Sequence, residues 1–261
     1  MISEEIKQKI EEQSKQIPIV TLNEKESGKT FKFYTPNPMS LWRAETLYTK
    51  EPVTINWIKK FEKNKIFFDV GANVGMYSIF ASIYSEVKVH SFEPESNNFQ
   101  ILNENIHLNS LSKKVVAYPF GISNNLSITK LYLSKWTKAG SHNTVGDKVD
   151  HNLNELNPIY EQGTLAVSLD ELIGKYQLPI PNYLKIDVDG IEYKIISGSD
   201  KLLKEKNLES ILIEINPERK EDSNIINTLQ KNGFNFNKNQ VAESTRKKGP
   251  HKGYAEYLFY R

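Results

Sequence analysis

Asp69-Val-Gly-Ala-Asn-Val-Gly75-Met-Tyr-Ser78 is the stretch that decides the fold. It follows the short apolar run Ile66-Phe67-Phe68 and leads into Met76–Ile83, whose composition suits a helix. A strand, a glycine-bearing turn and a helix in that order describe a nucleotide-cofactor pocket. Gly71 and Gly75 let backbone approach a ligand where a Cβ would collide, and the following helix turns its free N–H groups toward it. Spacing then separates the ligands. A dinucleotide fingerprint reads G-x-G-x-x-G, and a phosphate-cradling loop ends in Gly-Lys-Ser/Thr. Here the glycines stand four apart, no lysine follows, and Asp69 sits two residues before the first glycine.

Downstream the period is strand–helix–strand. Val87–Phe92, Val115–Phe120, Tyr183–Val188 and Ser210–Ile215 read as strands; Ser96–His107, most of Ile191–Glu205, and Ile225–Asn232 before Gly233 read as helices. Phe234–Asn237 and Tyr254–Phe259 form a final antiparallel pair. Ser127–Leu133 alternates apolar and polar residues like a short hairpin, and the polar stretch 134–163 reads as a long loop or insertion. Ser168-Leu-Asp-Glu171 is a capping box that opens a short helix. This alternation predicts an α/β protein with a doubly wound, mostly parallel sheet and its ligands at the carboxyl ends of the strands.

Upstream, residues 3–16 predict a polar helix with a thin stripe of Ile2, Ile6 and Ile10, expected to dock on the body of the protein. A strand at Thr30–Tyr34, a loop through Pro36 and Pro38, and helices at Leu41–Tyr48 and Thr54–Phe61 follow. Residues 1–62 are thus expected to be an extension packing on the core, and 63–261 the cofactor-binding domain carrying the 134–163 insertion.

The bulk properties exclude other classes. A net charge of only +2, with both signs mixed, implies no nucleic-acid partner for the chain as a whole. Without cysteine there is no disulfide framework, thiolate metal site or Cys nucleophile. The first ten residues have no apolar signal core and no run reaches membrane-spanning length, so a cytoplasmic location is expected.

The turn at Asp69–Gly75 resembles motif I of the class I S-adenosylmethionine (SAM)-dependent methyltransferases, where it faces an amino-acid tail rather than a pyrophosphate. That resemblance implies a seven-stranded sheet with the last strand antiparallel. Glu93 stands 18 residues beyond Gly75, where doubly wound nucleotide folds place an acidic residue on ribose hydroxyls. The plain alternative is a solvated turn residue before Pro94. Ser96 is a candidate cap for the next helix. Asp69 either holds the glycine turn or reaches the ligand's ammonium through a water, and Asn73 tolerates a left-handed backbone or offers its amide. Position also puts Phe120–Asn124 beside the adenine, with Gly121 and Ile122 as the cofactor contacts. His90 reads as a structural histidine.

Lys185-Ile-Asp187-Val-Asp189-Gly190-Ile-Glu192 narrows the resemblance. With Phe68–Gly75, Phe92-Glu-Pro94, Asn98-Phe99, Asn105, Gly121-Ile-Ser-Asn124, Ser168-Leu-Asp170 and Ile213-Glu214, it resembles the FkbM family over about residues 66–236. Asp189 stands where that family usually has Glu. The resemblance implies O-methylation of hydroxyl groups on sugars, glycans or secondary metabolites, with SAM as donor and S-adenosylhomocysteine as product.

Methyl transfer from a sulfonium needs an aligned acceptor oxygen, and an alcohol acceptor must lose its proton to a base or a metal. Asp187 is the first candidate, as general base or hydroxyl orienter, and His142 in the insertion is the second. Asp189, Glu192, Glu214 and Asn216 are expected near the acceptor, with Trp136 stacking on a sugar face and Trp57 in the core. Asp187, Asp189 and Glu214 form an oxygen set able to take Mg²⁺, though a metal is not the favoured reading. Asp189-Gly-Ile-Glu192 equally has the spacing of a helix cap and its capping-box partner. His151 reads as a loop residue, and Arg246–Lys252 as a solvated basic loop or an anion contact. Two rival functions stand beside methyl transfer: a non-catalytic SAM-binding or interaction module, and a nicotinamide-dependent oxidoreductase, against which the missing third glycine argues.

Overall fold

The computed structural model describes residues 3–16 and 18–261; Met1, Ile2 and Ile17 lie outside the described residues, and with Ile2 the first member of the N-terminal stripe. The chain begins with α1 (Glu4–Lys15), a hairpin of β1 (Ile19–Asn23) and β2 (Thr30–Tyr34), and two short helices, α2 (Pro38–Glu45) and α3 (Pro52–Ile58). Alternation then starts with β3 (Ile66–Val70), α4 (Met76–Tyr84), β4 (Lys88–Phe92), α5 (Ser96–Leu108) and β5 (Val115–Tyr118). Four strands of a separate sheet follow: β6 (Gly121–Ile122), β7 (Ser127–Leu133), β8 (Asn143–Val145) and β9 (Tyr160–Val167). The main sheet resumes through α6 (Leu169–Gly174), β10 (Tyr183–Ile186), α7 (Glu192–Ser197), β11 (Ser210–Ile215) and α8 (Lys220–Lys231). It closes with β12 (Asn235–Phe236), α9 (Lys238–Ser244) and β13 (Ala255–Tyr260).

The main sheet has seven strands in the order β12-β13-β11-β10-β3-β4-β5. From β11 to β5 all pairings are parallel, while β13 runs antiparallel to β11 and to β12. The chain winds outward through β4 and β5 on one side of β3 and through β10 and β11 on the other. The two halves part between β3 and β10, and such a switch point opens a crevice beyond the strand ends. Helices cover both faces, so β10 and most of β11 are buried on either side and read as apolar runs, interrupted by Lys185 in β10 and by Ser210 and Glu214 in β11.

Two aromatic and aliphatic clusters fill those faces. Phe67, Phe80, Trp57, Phe31 and Phe33 pack on one, and Phe68, Leu184, Ile186, Ile213 and Phe234 on the other. The hairpin and α3 therefore share one buried cluster with the central strand. Trp57 is 5% exposed, and its indole N–H donates to Ser210 Oγ at 2.9 Å. No helix among the described residues is long and apolar enough to cross a membrane.

Several local expectations give way to tertiary context. Ser127–Leu133 is one strand, paired with β8 and along its whole length with β9, so part of the 134–163 stretch is sheet. The outward Glu161 and the glycine at 163 hide the alternation there. Pro38 opens α2 as its first residue, with Asn37 and Ser40 completing a capping box, rather than lying in a loop. Glu95, not Ser96, caps α5 by accepting from the N–H groups of Asn97 and Asn98. Residues 191–205 break into α7 and a single 3₁₀ turn at Leu202–Lys204. β1 and α9 lie outside the expected elements, although the β-branched run Ile19-Val-Thr21 and the cap Asn237 were their signals. Ile6 and Ile10 of α1 are 51% and 59% exposed, so these two described members of the stripe are not docked.

Candidate active site

The turn after β3 is shaped by what passes next to it. Gly71 has φ +81°, and a Cβ there would lie 1.9 Å from the backbone oxygen of Asp187. Asn73 is also left-handed, at φ +50°. Its N–H donates to Glu93 Oε2 at 2.8 Å and its side-chain amide to the Gly140 carbonyl at 2.6 Å. Glu93 Oε1 accepts from the Glu95 N–H at 2.8 Å. Burial pushes Glu93 up to about 7 despite these two N–H groups. Gly75, at φ +81°, begins α4 without a side-chain cap. Asp69 is 1% exposed and lies beneath the turn. Ser78 Oγ donates to its Oδ2 at 2.5 Å, its Oδ1 has no hydrogen-bond partner, and burial holds its pKa above the usual value.

A cavity of about 510 Å³ opens above this turn at the carboxyl ends of β3, β4 and β10. Gly71, Asn73, Glu93, Gly121 and Ile122 line one part of it. Asp187, Asp189, Glu214 and His142 line another, so sequence-distant candidates meet in one space. Its volume is that of a typical small-molecule site.

Under the floor lies a charge network that the sequence reading missed. Lys185 is 1% exposed on β10, in register with Asp69 on β3. Its ammonium pairs with Asp187 Oδ2 at 2.7 Å and lies 3.9 Å from Glu51 Oε2. It also sits 5.0 Å from the centre of the Tyr77 ring. Burial opposes the ammonium, but Asp187, Glu51 and Asp69 hold Lys185 above the ordinary lysine range. Burial likewise opposes the Asp187 carboxylate, yet Lys185 and Lys50 hold it far below its ordinary value. Asp187 is therefore a firmly ionised, weakly basic carboxylate with 29% of its side chain exposed. Lys50 pairs with Glu51 at 2.5 Å. Glu214, paired with Arg246, is nonetheless raised well above the usual range by burial and by the charge of Asp187. A lysine inside the apolar run Tyr183–Ile186 was the available signal, since lysine is almost never fully buried unless paired.

The opposite wall is imidazole. His142, at φ +67°, donates its backbone N–H to Asp189 Oδ2 at 2.6 Å. Its Nδ1 is 3.4 Å from Asp189 Oδ1, close enough for an ion pair but too long for a well-formed hydrogen bond. His251 stacks on His142 with ring centres 5.1 Å apart, and His151 lies 4.3 Å from His251. His251 came from the basic tract without a signal, because 109 residues separate it from His142.

Other candidates differ from expectation in place or in role. Asp189 is not a helix cap: its φ is +59° and its carboxylate faces His142. Ile191 stands at the cap position of α7, and Glu192 folds back to accept from the Gly190 and Val188 N–H groups. Burial raises Glu192 to about 7. Asn216 caps a turn, accepting from the Glu218 N–H at 3.1 Å, and does not line the cavity. Trp136 is 60% exposed, edge-on to Tyr160 and outside the cavity, whereas Trp42 stands at its rim. His90 contacts the Tyr118 hydroxyl at 3.1 Å, as a structural histidine does. Asp187, Asp189 and Glu214 each face a cation or an imidazole, so they do not present an open oxygen shell for Mg²⁺.

Residues 69–236 match the family model described as the methyltransferase FkbM domain. The chain is 24% identical over 192 residues to the hexuronic acid methyltransferase AglP of Haloferax volcanii, covering 72% of each protein. It is 27% identical over 152 residues to the 31-O-demethyl-FK506 methyltransferase FkbM of Streptomyces tacrolimicus, covering 51% of this chain and 58% of that protein. Among solved structures, the precorrin-6y C5,15-methyltransferase of Geobacter metallireducens is similar at 14% identity and a TM-score of 0.46, over 94% of this chain and 99% of that one. The family match takes in the glycine turn, Glu93 and the Asp187–Glu192 segment together. The chain belongs to the FkbM family and is a SAM-dependent methyltransferase.

Proposed function

We propose that the protein transfers the methyl group of SAM to a hydroxyl of a carbohydrate-like or natural-product acceptor. The observation that carries this reading is the single cavity that joins the glycine turn and Glu93 to the Asp187 and His142 walls. The donor-side residues fit SAM. Gly71 and Gly121 keep the cradle narrow where a Cβ would collide, 1.9 Å from Asp187 O and 2.6 Å from Val145 Cγ2. Glu93 offers carboxylate oxygens suited to paired ribose hydroxyls. The uncapped start of α4 leaves N–H groups for the cofactor's carboxylate. When bound, the sulfonium supplies an activated methyl group.

On the acceptor side, Asp187 accepts the hydroxyl's O–H and fixes its direction. The pairing with Lys185 makes it an orienting group rather than a strong base. The hydroxyl's proton leaves toward the side of the cavity that His142 and His251 line. Trp42 at the rim presents an aromatic face of the kind that stacks on sugars. A hydroxyl acceptor also agrees with the hexuronic acid and the 31-O-demethyl compound named for two relatives. Family membership sets aside the nicotinamide-dependent oxidoreductase.

The test uses SAM labelled in its methyl group with a panel of glycosides, uronosides and polyhydroxylated natural products, and product mapping by mass spectrometry. A methyl ether is expected, lost in Asp187→Ala while calorimetric SAM binding persists. Methylation only at nitrogen or a carboxyl group, or full activity of Asp187→Ala, would overturn the reading.

A further inference from the structure

Three imidazoles converge at one side of the cavity, which His142 and His251 line. His142 and His151 come from the segment between β7 and β9, and His251 from the tract before β13. Each ring offers one nitrogen, and the three lie within 4.8 Å of one another. Among the described residues this is the one group of three or more such side chains able to hold a metal ion.

The surroundings are those of ligating histidines. A metal-bound imidazole commonly turns its other nitrogen to a carboxylate or a backbone carbonyl. His142 Nδ1 faces Asp189 Oδ1 at 3.4 Å, and His151 Nε2 lies 3.2 Å from the Pro250 carbonyl and 3.0 Å from the Asn152 amide nitrogen. His251 Nδ1 is buried with no hydrogen-bond partner. The backbone is fixed as well, since the Tyr254 hydroxyl and Arg219 both donate to the His151 carbonyl. The Asp187 and Glu214 carboxylates, occupied by Lys185 and Arg246, do not compete.

We propose that His142, His151 and His251 bind a transition-metal ion of the Zn²⁺ class, with a coordination position open to the cavity. A three-imidazole set suits Zn²⁺, Cu²⁺, Ni²⁺ or Fe²⁺ and disfavours Mg²⁺. Zinc–nitrogen bonds of about 2.0–2.1 Å set the final spacing of the three nitrogens, and side-chain rotations adjust them to it. Three protein ligands and a free position are the arrangement of catalytic rather than structural zinc. In that free position an acceptor hydroxyl would be held and acidified; this clause alone rests on the methyl-transfer reading.

Titration of the untagged, chelator-treated full chain with Co²⁺ tests the site. One equivalent should produce the visible ligand-field bands of a low-coordinate cobalt site, abolished by Zn²⁺ and unaffected by Mg²⁺. His251→Gln and His151→Gln should each weaken Co²⁺ binding roughly 100-fold, and Asp189→Asn about tenfold, with calorimetric SAM binding kept as the measure of folding. Absence of the bands in the unsubstituted protein, or Co²⁺ affinity in both histidine variants unchanged from that of the unsubstituted protein, overturns the proposal. Failure of the unsubstituted protein to methylate any hydroxyl, with the cobalt bands present, strikes the methyl-transfer reading and leaves the metal site standing.

Discussion

At the scale of single residues, burial and charge divide the carboxylates around the cavity into different tasks. Glu93, pushed up to about 7, is largely protonated in the free site below that pH. Ribose hydroxyls are best accepted by the ionised form, so SAM affinity should rise with pH through about 7. Glu93→Gln should weaken SAM binding and flatten this profile; calorimetry from pH 6 to pH 8.5 reads both, and an unchanged profile would remove Glu93 from the ribose. Lys185 is the other decisive residue. Removing one partner of a buried ion pair leaves an uncompensated charge, so Lys185→Met should cost about 3–5 kcal/mol in urea unfolding. A cost below about 1 kcal/mol would mean that Asp187 and Glu51 find solvent instead. The sequence displayed both residues. Only Glu93 was singled out, by its spacing from the glycine turn, whereas the role of Lys185 follows from the charges of Glu51, Asp69 and Asp187 on three different segments.

Elements show the same division between local and distant causes. Both motif glycines have φ +81°, which side-chain-bearing residues adopt at a cost of about 1–3 kcal/mol. They differ in what a methyl group would strike. At Gly71 it meets the backbone of Asp187, which cannot move without shifting the end of β10; at Gly75 it meets Leu102 Cδ1 at 2.3 Å, the end of a flexible side chain. Gly71→Ala should therefore be the more destabilising by thermal denaturation, and equal losses would refute the close-approach account. In α7, Glu192 is raised from its ordinary 4.5 to about 7. The folded state then holds the proton between those values while the unfolded state releases it. This contribution is full below about 4.5 and is lost as pH rises toward 7. Glu192→Gln should remove that part of the stability–pH slope, measured by urea unfolding at pH 5 and pH 7. Capping boxes such as Ser168–Glu171 were readable because both partners lie within one turn. The Asp189–Glu192 spacing misled because a left-handed Asp189 turns its carboxylate to His142 instead.

The whole molecule joins a mostly parallel sheet, a side sheet and an N-terminal hairpin, while α1 turns Ile6 and Ile10 to solvent. Its exposed ion pairs, Lys7–Glu4 at 2.5 Å and Lys9–Glu5 at 2.7 Å, contribute only tenths of a kcal/mol to the helix itself. Deleting residues 1–16 should shift Tm by less than about 1 °C; a drop of about 5 °C or more would show that α1 packs on the body. By itself the sequence determined the winding of the main sheet, the glycine turn and the family, because strand–helix periodicity and glycine spacing are properties of short segments. Tertiary structure alone decided the side sheet, the buried Lys185 network and the meeting of His142, His151 and His251. Each of those depends on bringing together segments tens of residues or more apart, and neither hydrophobic period nor local spacing records which distant side chains share a buried, weakly solvated space.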